Sequence, residues 1–156
     1  MIFLRSANTT DIDLILKWEN NRENWSYSDT TEPYSRLDIE NLIISLSRDG
    51  SVQQRFMICK QKGDLPIGAI DIFDVNKKRN CASVGVLIES NVNRRKGFAL
   101  AALNELEQLC GKNSIEKLNA IVHNWNTASL NLFKKAGYIE IGVEKDLIKL
   151  EKCIKK

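Results

Sequence analysis

A basic stretch that ends in a glycine has the clearest potential for chemistry in this sequence. Arg94, Arg95 and Lys96 stand directly before Gly97. The stretch follows the apolar run 84–88 and opens a helical pattern. Because the first N–H groups of a helix lack internal partners and the helix dipole favours an anion there, the pattern predicts a phosphate site. A solvated basic turn before a surface helix would account for the same residues.

Length and composition indicate one globular domain that spans residues 1–156. Hydrophobic residues make up 43% of the chain and charged residues 28%, which is an ordinary balance for such a domain. No apolar run approaches the roughly 18 residues needed to cross a bilayer, so we expect no membrane partner. The net charge of +3 is too small to indicate nucleic-acid binding by itself.

The four cysteines give no sign of a metal site or a disulfide. They lie far apart and include no C-x-x-C pair. Cys59 and Cys81 fall inside apolar runs, where cysteine acts as a small hydrophobe. We therefore expect no metal and a reducing, cytoplasmic setting.

Hydrophobic periodicity and turn residues divide the chain in the order β-α-α-β-β-β-α-β-α-β-β. A capping box at Thr10–Asp13 starts the first helix, Gly111 ends the third and Gly137 ends the fourth. This order predicts an α+β fold with a central parallel element. The predicted strands cover 2–4, 55–59, 67–73, 81–89, 118–122, 138–142 and 147–154, and the predicted helices 10–19, 39–50, 97–111 and 126–136, with an irregular loop at 20–35.

Four stretches of the sequence resemble the GNAT superfamily of N-acetyltransferases. One of them is similar to the family's pyrophosphate loop, usually Q/R-x-x-G-x-G/A, and another to the family's asparagine-to-"GF" segment downstream. The sequence is most similar to the branch that holds spermidine and ribosomal-protein-alanine N-acetyltransferases. The matching stretches are Arg5 with Asp11, Pro66–Gly68, Arg94–Ala99, and Asn126–Ser129 with Lys135–Tyr138, within a similarity that runs from Phe3 to about Gly142.

The resemblance implies the architecture of a single GNAT domain. The expected sheet is mixed and mostly antiparallel, with about six or seven strands and a parallel, splayed pair at its centre. About four helices should flank it.

The resemblance also implies acetyl-CoA as the co-substrate. Backbone amides at the start of a helix would hold its pyrophosphate, with charge added by the preceding side chains. The residues assigned to this role are Arg94, Arg95, Lys96, Gly97, Phe98 and Ala99.

The pantetheine arm of the co-substrate would lie along the strand that precedes this loop. The backbone of Leu87, Ile88 and Glu89 would pair with the arm, and one N–H there would polarise the thioester carbonyl. The further residues assigned to the arm and its sulfur end are Asn126, Ser129 and Phe133, of which Asn126 could equally act only as a helix cap.

The catalytic groups do not follow from the resemblance alone. Acetyl transfer needs a neutral amine, so a base must remove a proton. Glu89 is the first candidate because it ends the strand beside the expected thioester, although a solvent-facing strand end would explain it equally. Many relatives carry a tyrosine as general acid where this chain has Phe133. A water, Ser129, Tyr27, Tyr34 or Tyr138 could take its place.

Acidic residues are the candidates for contact with a cationic amine. Glu32 matches an acidic residue before Pro-Tyr in the spermidine enzymes, and Asp71 is a second candidate, for the base as well as for the substrate. Each is also explained by an ordinary structural or surface charge. His123, the single histidine, is expected to be structural. Trp25 and Trp125 could wall the substrate mouth or simply pack.

The sequence thus predicts an N-acetyltransferase that moves acetyl directly to a primary amine of a polyamine-like small molecule or a peptide N-terminus. A homodimer is compatible with this prediction. The alternative is a non-catalytic acyl-CoA-binding sensor or accessory protein, which Phe133 keeps open. Nucleic-acid binding through 94–96 and 77–79 is disfavoured because the net charge is small and no aromatic residues interleave the cations.

Overall fold

The computed structural model describes residues 1–21, 32–46, 54–90 and 92–154. Within those ranges the chain follows the predicted order of elements, and a short 3-10 helix, Thr9–Asp11, precedes the first α-helix. The strands are β1 (Ile2–Ser6), β2 (Gln54–Lys60), β3 (Pro66–Asn76), β4 (Cys81–Ile88), β5 (Lys117–His123), β6 (Ile139–Glu144) and β7 (Leu147–Cys153), and the α-helices are α1 (Ile12–Asn20), α2 (Arg36–Leu46), α3 (Phe98–Lys112) and α4 (Thr127–Lys135).

The strands form one seven-stranded mixed sheet in the order β1-β2-β3-β4-β5-β7-β6. Strands β4 and β5 pair in parallel, and every other neighbouring pair is antiparallel. The parallel pairing is short, because it runs only from Cys81 opposite Lys117 to Ser83 opposite Asn119. Beyond Ser83 the strands β4 and β5 separate while β4 continues to pair with β3 as far as Ile88. The expected α+β fold with a splayed central pair is confirmed.

Helices cover the two faces of the sheet unequally. Side chains alternate across a strand, so Ile58 and Val84 join the core under α3 and α4, whereas Met57 and Ala69 join a second core under α1 and α2. The first core also includes Leu118, so the α3 and α4 layer spans both halves of the sheet. Among the described residues, no helix is both long and apolar enough to cross a membrane.

Two predicted helix boundaries were wrong. The capping box is formed by Asn8 and Asp11 around the 3-10 helix, not by Thr10 and Asp13. The two pairs have the same three-residue spacing, so the spacing alone did not distinguish them. Gly111 lies inside α3, which continues to Lys112 and ends at Asn113. Gly137 does follow the end of α4 with a φ of 99°, as predicted. The predicted end of the second helix near Gly50 lies outside the described residues.

Candidate functional site

The separation of β4 and β5 opens a cleft of about 620 Å³. One wall is the final part of β4, and the floor is the loop that leads into α3. The other wall is one face of α4, which follows β5. The residues that line the cleft are Val86, Leu87, Ile88, Asn93, Arg94, Arg95, Gly97, Phe98, Ala99, Leu100, Asn126, Ala128, Ser129, Leu132 and Lys135.

The edge of β4 that faces the cleft carries backbone groups that no strand pairs. The Glu89 N–H donates to the Ile67 carbonyl at 2.8 Å, so the N–H groups of Glu89 and Leu87 point toward β3. Since N–H directions alternate along a strand, those of Val86 and Ile88 point into the cleft. The Arg94 Nε donates to the Ile88 carbonyl at 3.1 Å. The Ile88 N–H is therefore a donor in a position to meet an extended ligand.

Gly68 lets β3 come close to this edge of β4. A Cβ on Gly68 would lie 2.1 Å from the Leu87 carbonyl oxygen, well inside any van der Waals contact. The backbone position of Leu87, and with it the direction of the Ile88 N–H, therefore depends on a glycine at position 68.

The loop before α3 supplies an uncapped helix N-terminus. Gly97 is the N-cap of α3, adopts a φ of 84° and provides no side-chain cap. A glycine suits this left-handed backbone because it has no Cβ to clash. Arg94 and Arg95 line the cleft beside this helix end. Unpaired helix N–H groups with adjacent cations form a ready site for phosphate.

The opposite wall begins at the N-cap of α4. Asn126 is buried, and its Oδ1 accepts a hydrogen bond from the Ser129 backbone N–H at 3.2 Å, so its predicted capping role is confirmed. The cap uses only Oδ1, and the Asn126 side chain also lines the cleft. One turn after another, Ala128, Leu132 and Lys135 continue the same wall. Lys135 adds a further cation to the cleft.

Comparison with known proteins identifies the family. Residues 2–139 match the family model described as an acetyltransferase (GNAT) domain. The chain belongs to the GNAT acetyltransferases. The expected use of acetyl-CoA as co-substrate follows from that membership. Among curated protein sequences, none matches the chain.

Solved structures of other acetyltransferases share the fold at low sequence identity. The chain is similar to spermidine N-acetyltransferase from Vibrio cholerae in complex with CoA and spermine, with a TM-score of 0.87, 23% identity and coverage of 97% of this chain and 95% of that chain. It is also similar to a dodecameric structure of spermidine N-acetyltransferase from the same organism, with a TM-score of 0.81, 22% identity and coverage of 98% and 94%. An aminoglycoside acetyltransferase in complex with coenzyme A has a TM-score of 0.82, 12% identity and coverage of 98% and 95%.

Most residues assigned to acetyl-CoA from the GNAT resemblance line the cleft. They come from four separate elements, and the fold brings them together. Three of the assigned residues, Glu89, Lys96 and Phe133, are not among the lining residues. The assigned residues that do line it are Leu87, Ile88, Arg94, Arg95, Gly97, Phe98, Ala99, Asn126 and Ser129.

Phe133 belongs to the core rather than to the cleft. It is 4% exposed, and its ring packs edge-on against Tyr138 with 5.0 Å between centroids. The Tyr138 hydroxyl is buried without a hydrogen-bond partner, and burial, with added repulsion from Glu107, raises the pKa of Tyr138. Tyr138 is therefore poorly placed to serve as the general acid that the GNAT pattern puts at position 133.

The Glu89 carboxylate is turned toward the loop that follows β4. Its Oε1 accepts hydrogen bonds from the Ser90 hydroxyl at 2.7 Å and from the Asn93 Nδ2 at 2.8 Å. Glu89 therefore anchors the start of this loop, and its predicted role as the base stays a prediction.

Asp71 belongs to an ion-pair network on the face of the sheet that carries α1. Both of its carboxylate oxygens accept from Arg55, at 2.8 and 2.9 Å, and Glu19 accepts from the same guanidinium at 3.2 Å. Burial alone would lower the pKa of Arg55, but the two carboxylates raise it above its ordinary value. Arg55 stays charged, so Asp71 is largely neutralised before any substrate arrives.

The remaining candidates are not among the residues that line the cleft or lie outside the described residues. Glu32 is exposed and stands near the point where Asn20 forms two hydrogen bonds with the Tyr34 backbone. His123 stacks on the exposed Trp125 with 5.6 Å between ring centroids. The predicted Trp25 and Tyr27 contributions fall outside the described residues.

Several lining residues were missed from the sequence. Val86 could have been found from its two-residue spacing to Ile88 on β4. Ala128, Leu132 and Lys135 could have been found from helical spacing on the Asn126 side of α4. No local pattern indicates that Asn93 lines the cleft. Leu100 could be assigned to the cleft only once the position of α3 against β4 is known.

Proposed function

We propose that this protein transfers the acetyl group of acetyl-CoA directly to a primary amine of a small, polyamine-like molecule or a peptide N-terminus. The observation that carries the proposal is the continuity of the cleft. An unpaired edge of β4 leads into the uncapped N-terminus of α3, and arginines flank the junction. A ligand with a phosphate group joined to an extended, amide-containing arm would match the order of these features along the cleft.

The chain's own residues would hold the two parts of such a co-substrate differently. The first turn of α3, with Arg94 and Arg95, would bind the pyrophosphate through backbone N–H groups and charge. The edge of β4 would receive the pantetheine arm as an added strand. When bound, acetyl-CoA supplies a thioester as the acetyl donor. Asn126 on the opposite wall would contact the arm through its amide.

The Ile88 N–H is the proposed stabiliser of negative charge on the reacting carbonyl. It points into the cleft from a rigid strand, and such preorganised donors are each worth roughly 3 kcal/mol of barrier. The proton of the amine requires an acceptor, for which Glu89 would use Oε2, since the hydrogen bonds from Ser90 and Asn93 are both to Oε1. Of the hydroxyls named from the sequence, Ser129 lines the cleft and is the candidate for the proton to the leaving sulfur.

The proposed acceptor is a cationic amine that approaches from the face carrying α1. Asp71 on β3 lies opposite Gly85 on β4, and Gly85 is two residues before Leu87 on the same strand. The ion-pair network of Asp71 therefore lies close to the proposed thioester position. This network carries two carboxylates for one guanidinium and favours a cation. Similar structures include a spermidine and an aminoglycoside acetyltransferase, whose named substrates are amines.

The second candidate function is acyl-CoA binding without turnover. Phe133 stands where a general acid would be expected and is buried in the core. The Glu89 carboxylate is engaged by two donors. Both observations favour a binding protein in which the cleft is kept and the proton-transfer groups are not.

An acetyl-CoA consumption assay against a panel of amines separates the two functions. The panel holds polyamines, aminoglycosides and peptides with free N-termini, and CoA binding is measured calorimetrically in parallel. Turnover of any one class supports the proposal and identifies the acceptor. CoA binding without turnover of any amine would establish the second function, and absence of CoA binding would contradict both.

We also infer that the protein associates with itself through the β6 edge of the sheet. Ile139, Ile141 and Val143 are all more than half exposed on this strand, and an apolar strand at an edge invites pairing. A similar structure is dodecameric. Light scattering of the purified protein should show an oligomer that Ile141→Lys dissociates, and a monomeric wild-type protein would contradict the inference.

A further inference from the structure

One residue that lines the cleft carries a buried amide oxygen without a hydrogen-bond partner. Asn93 is 8% exposed and lines the cleft between the end of β4 and the two arginines. Its Oδ1 has no hydrogen-bond partner. Because buried amide oxygens are nearly always paired, this atom needs an explanation.

The neighbours of Asn93 determine which side-chain atom is left over. The Asn93 Nδ2 donates to the Glu89 Oε1 at 2.8 Å, and the Ser90 hydroxyl donates to the same oxygen at 2.7 Å. An ionised carboxylate only accepts hydrogen bonds, so the amide cannot be flipped without placing oxygen against oxygen. The Asn93 backbone N–H is also used, by the Ser90 carbonyl at 3.2 Å. Glu89 therefore holds Oδ1 in place as an acceptor.

An acceptor held in this way selects the chemistry of its partner. The partner must be an O–H or N–H group, because an ionised phosphate oxygen would be repelled by the amide oxygen. Asn93 precedes the arginines proposed to meet phosphate and follows the strand edge proposed to meet the amide arm. The part of CoA that belongs at this junction is the pantoyl end of pantetheine, which carries a hydroxyl and an amide N–H.

We propose that Asn93 Oδ1 is a binding residue for the pantetheine arm of CoA, where it accepts a hydrogen bond from the pantoyl hydroxyl or the adjacent amide N–H. This proposal rests on the proposed role of the cleft as the acetyl-CoA site. It also assigns Glu89 a positioning function, since the Glu89 carboxylate orients the amide. The unbound protein bears the cost of the unpaired oxygen, and binding removes it.

The test compares two probes by calorimetry on wild-type protein and on the near-isosteric Asn93→Leu. The probes are CoA and phosphoadenosine diphosphate, which is the nucleotide half of CoA without the pantetheine arm. We expect Asn93→Leu to weaken CoA binding about tenfold, which corresponds to the loss of one hydrogen bond donated by the ligand to a buried acceptor. Its affinity for the nucleotide half should equal that of wild type.

Thermal unfolding without ligand provides a readout that a structural role for Asn93 would not share. A leucine removes the unpaired oxygen and also the Nδ2 donor to Glu89. Because these two effects oppose each other, the unliganded variant should unfold within about 4 °C of wild type. Ser90→Ala is the matched control, because it removes the other donor to Glu89 and leaves Asn93 in place. We expect its affinity for both probes to be unchanged.

The outcomes separate this proposal from the proposed function. Equal CoA affinity in wild type and Asn93→Leu, or an equal loss for both probes, would overturn the role of Asn93 while the cleft assignment survives. Failure of the wild-type protein to bind either probe would overturn the cleft assignment itself. Should Asn93→Leu not fold, Asn93→Ala carries the same comparison, and a second failure to fold would assign Asn93 a structural role.

Discussion

The polar groups of the β1–β3 region are paired with one another, whereas several of those in the cleft are not. Arg5 donates to both Asp11 oxygens at 2.8 and 2.7 Å, and Arg55 joins Asp71 to Glu19 in the same manner. In the cleft, the Asn93 Oδ1, the N–H groups of Val86 and Ile88 at the β4 edge, and the first turn of α3 face no protein partner that the described residues supply.

This difference distinguishes groups that stabilise the fold from groups that await a ligand. Burial would raise the pKa of Asp11, but the hydrogen bonds from Arg5 and the Asn8 N–H lower it below its ordinary value. The Asp11 carboxylate is therefore charged and paired within the fold. A charged cluster can thus look like a site from the sequence and be satisfied in the fold. We expect variants of the paired region to change stability and variants of the cleft to change binding.

The largest effect is expected for Arg55→Met on stability. The substitution leaves the Asp71 and Glu19 carboxylates without their counterion, and we expect a loss of about 3 kcal/mol in the free energy of unfolding, at the lower end of the range for buried pairs because both are partly exposed. Urea unfolding measures the loss. The affinity of the Arg55→Met variant for CoA should be nearly that of wild type, and a selective loss of affinity would contradict the division between the two regions.

Gly97→Glu should have the next largest effect, on binding. It places a carboxylate at the helix end proposed for phosphate, and we expect CoA affinity to fall at least about a hundredfold, or roughly 2.7 kcal/mol. Gly63→Glu is the matched control, because Gly63 has the same φ of 84° in the turn before β3, with nothing within 4 Å of its added Cβ. Calorimetry should find CoA binding intact in the control. Intact binding in Gly97→Glu would remove the phosphate assignment.

Gly68→Ala should affect both quantities by an intermediate amount. The new methyl group collides with the Leu87 carbonyl oxygen and shifts the β4 edge, so we expect about 2 kcal/mol of destabilisation together with weaker CoA binding. Gly85→Ala is the control on the neighbouring strand, where the nearest atom to the added Cβ is the Phe73 Cε1 at 3.7 Å. Similar unfolding and binding in the two variants would show that the close approach at Gly68 has no special role.

The smallest effect is expected at Asn126, where one side chain belongs to both categories. Asn126→Ala should lose about 1 kcal/mol of stability with the helix cap and also weaken CoA binding. Asn126→Ser keeps a capping oxygen, so its stability should remain near wild type while the affinity still falls. Binding that is unchanged in the serine variant would reduce Asn126 to a helix cap.

The sequence predicted the fold well where periodicity and turn chemistry agree. The end of α4 at Gly137 and the parallel element between β4 and β5 followed from local pattern and element order. Asn8 was missed as the cap because Asn8 with Asp11 and Thr10 with Asp13 have the same spacing. Gly111 was misread because a glycine near a helix end is tolerated inside it at modest cost.

The candidate site was predictable in its position and less so in its polar detail. The loop 94–99 and Asn126 were identified because their roles depend on backbone and helix ends. The environment of Glu89 was not, because its hydrogen bonds depend on how the chain turns through Ser90 and Asn93. Asp71 was read as a substrate contact because its partner, Arg55, is a neighbour across the sheet and distant in sequence.

The short parallel ladder between β4 and β5 also has a mechanical consequence. Only three residue pairs join β4 to β5, so the two halves of the sheet are connected at one end of these strands and share one helical layer. A ligand that bonds to the β4 edge and to α4 would connect the two halves and restrict their relative motion. The amide protons of Val86 and Ile88 should therefore exchange rapidly with solvent deuterium in the free protein and slowly once the gap is bridged.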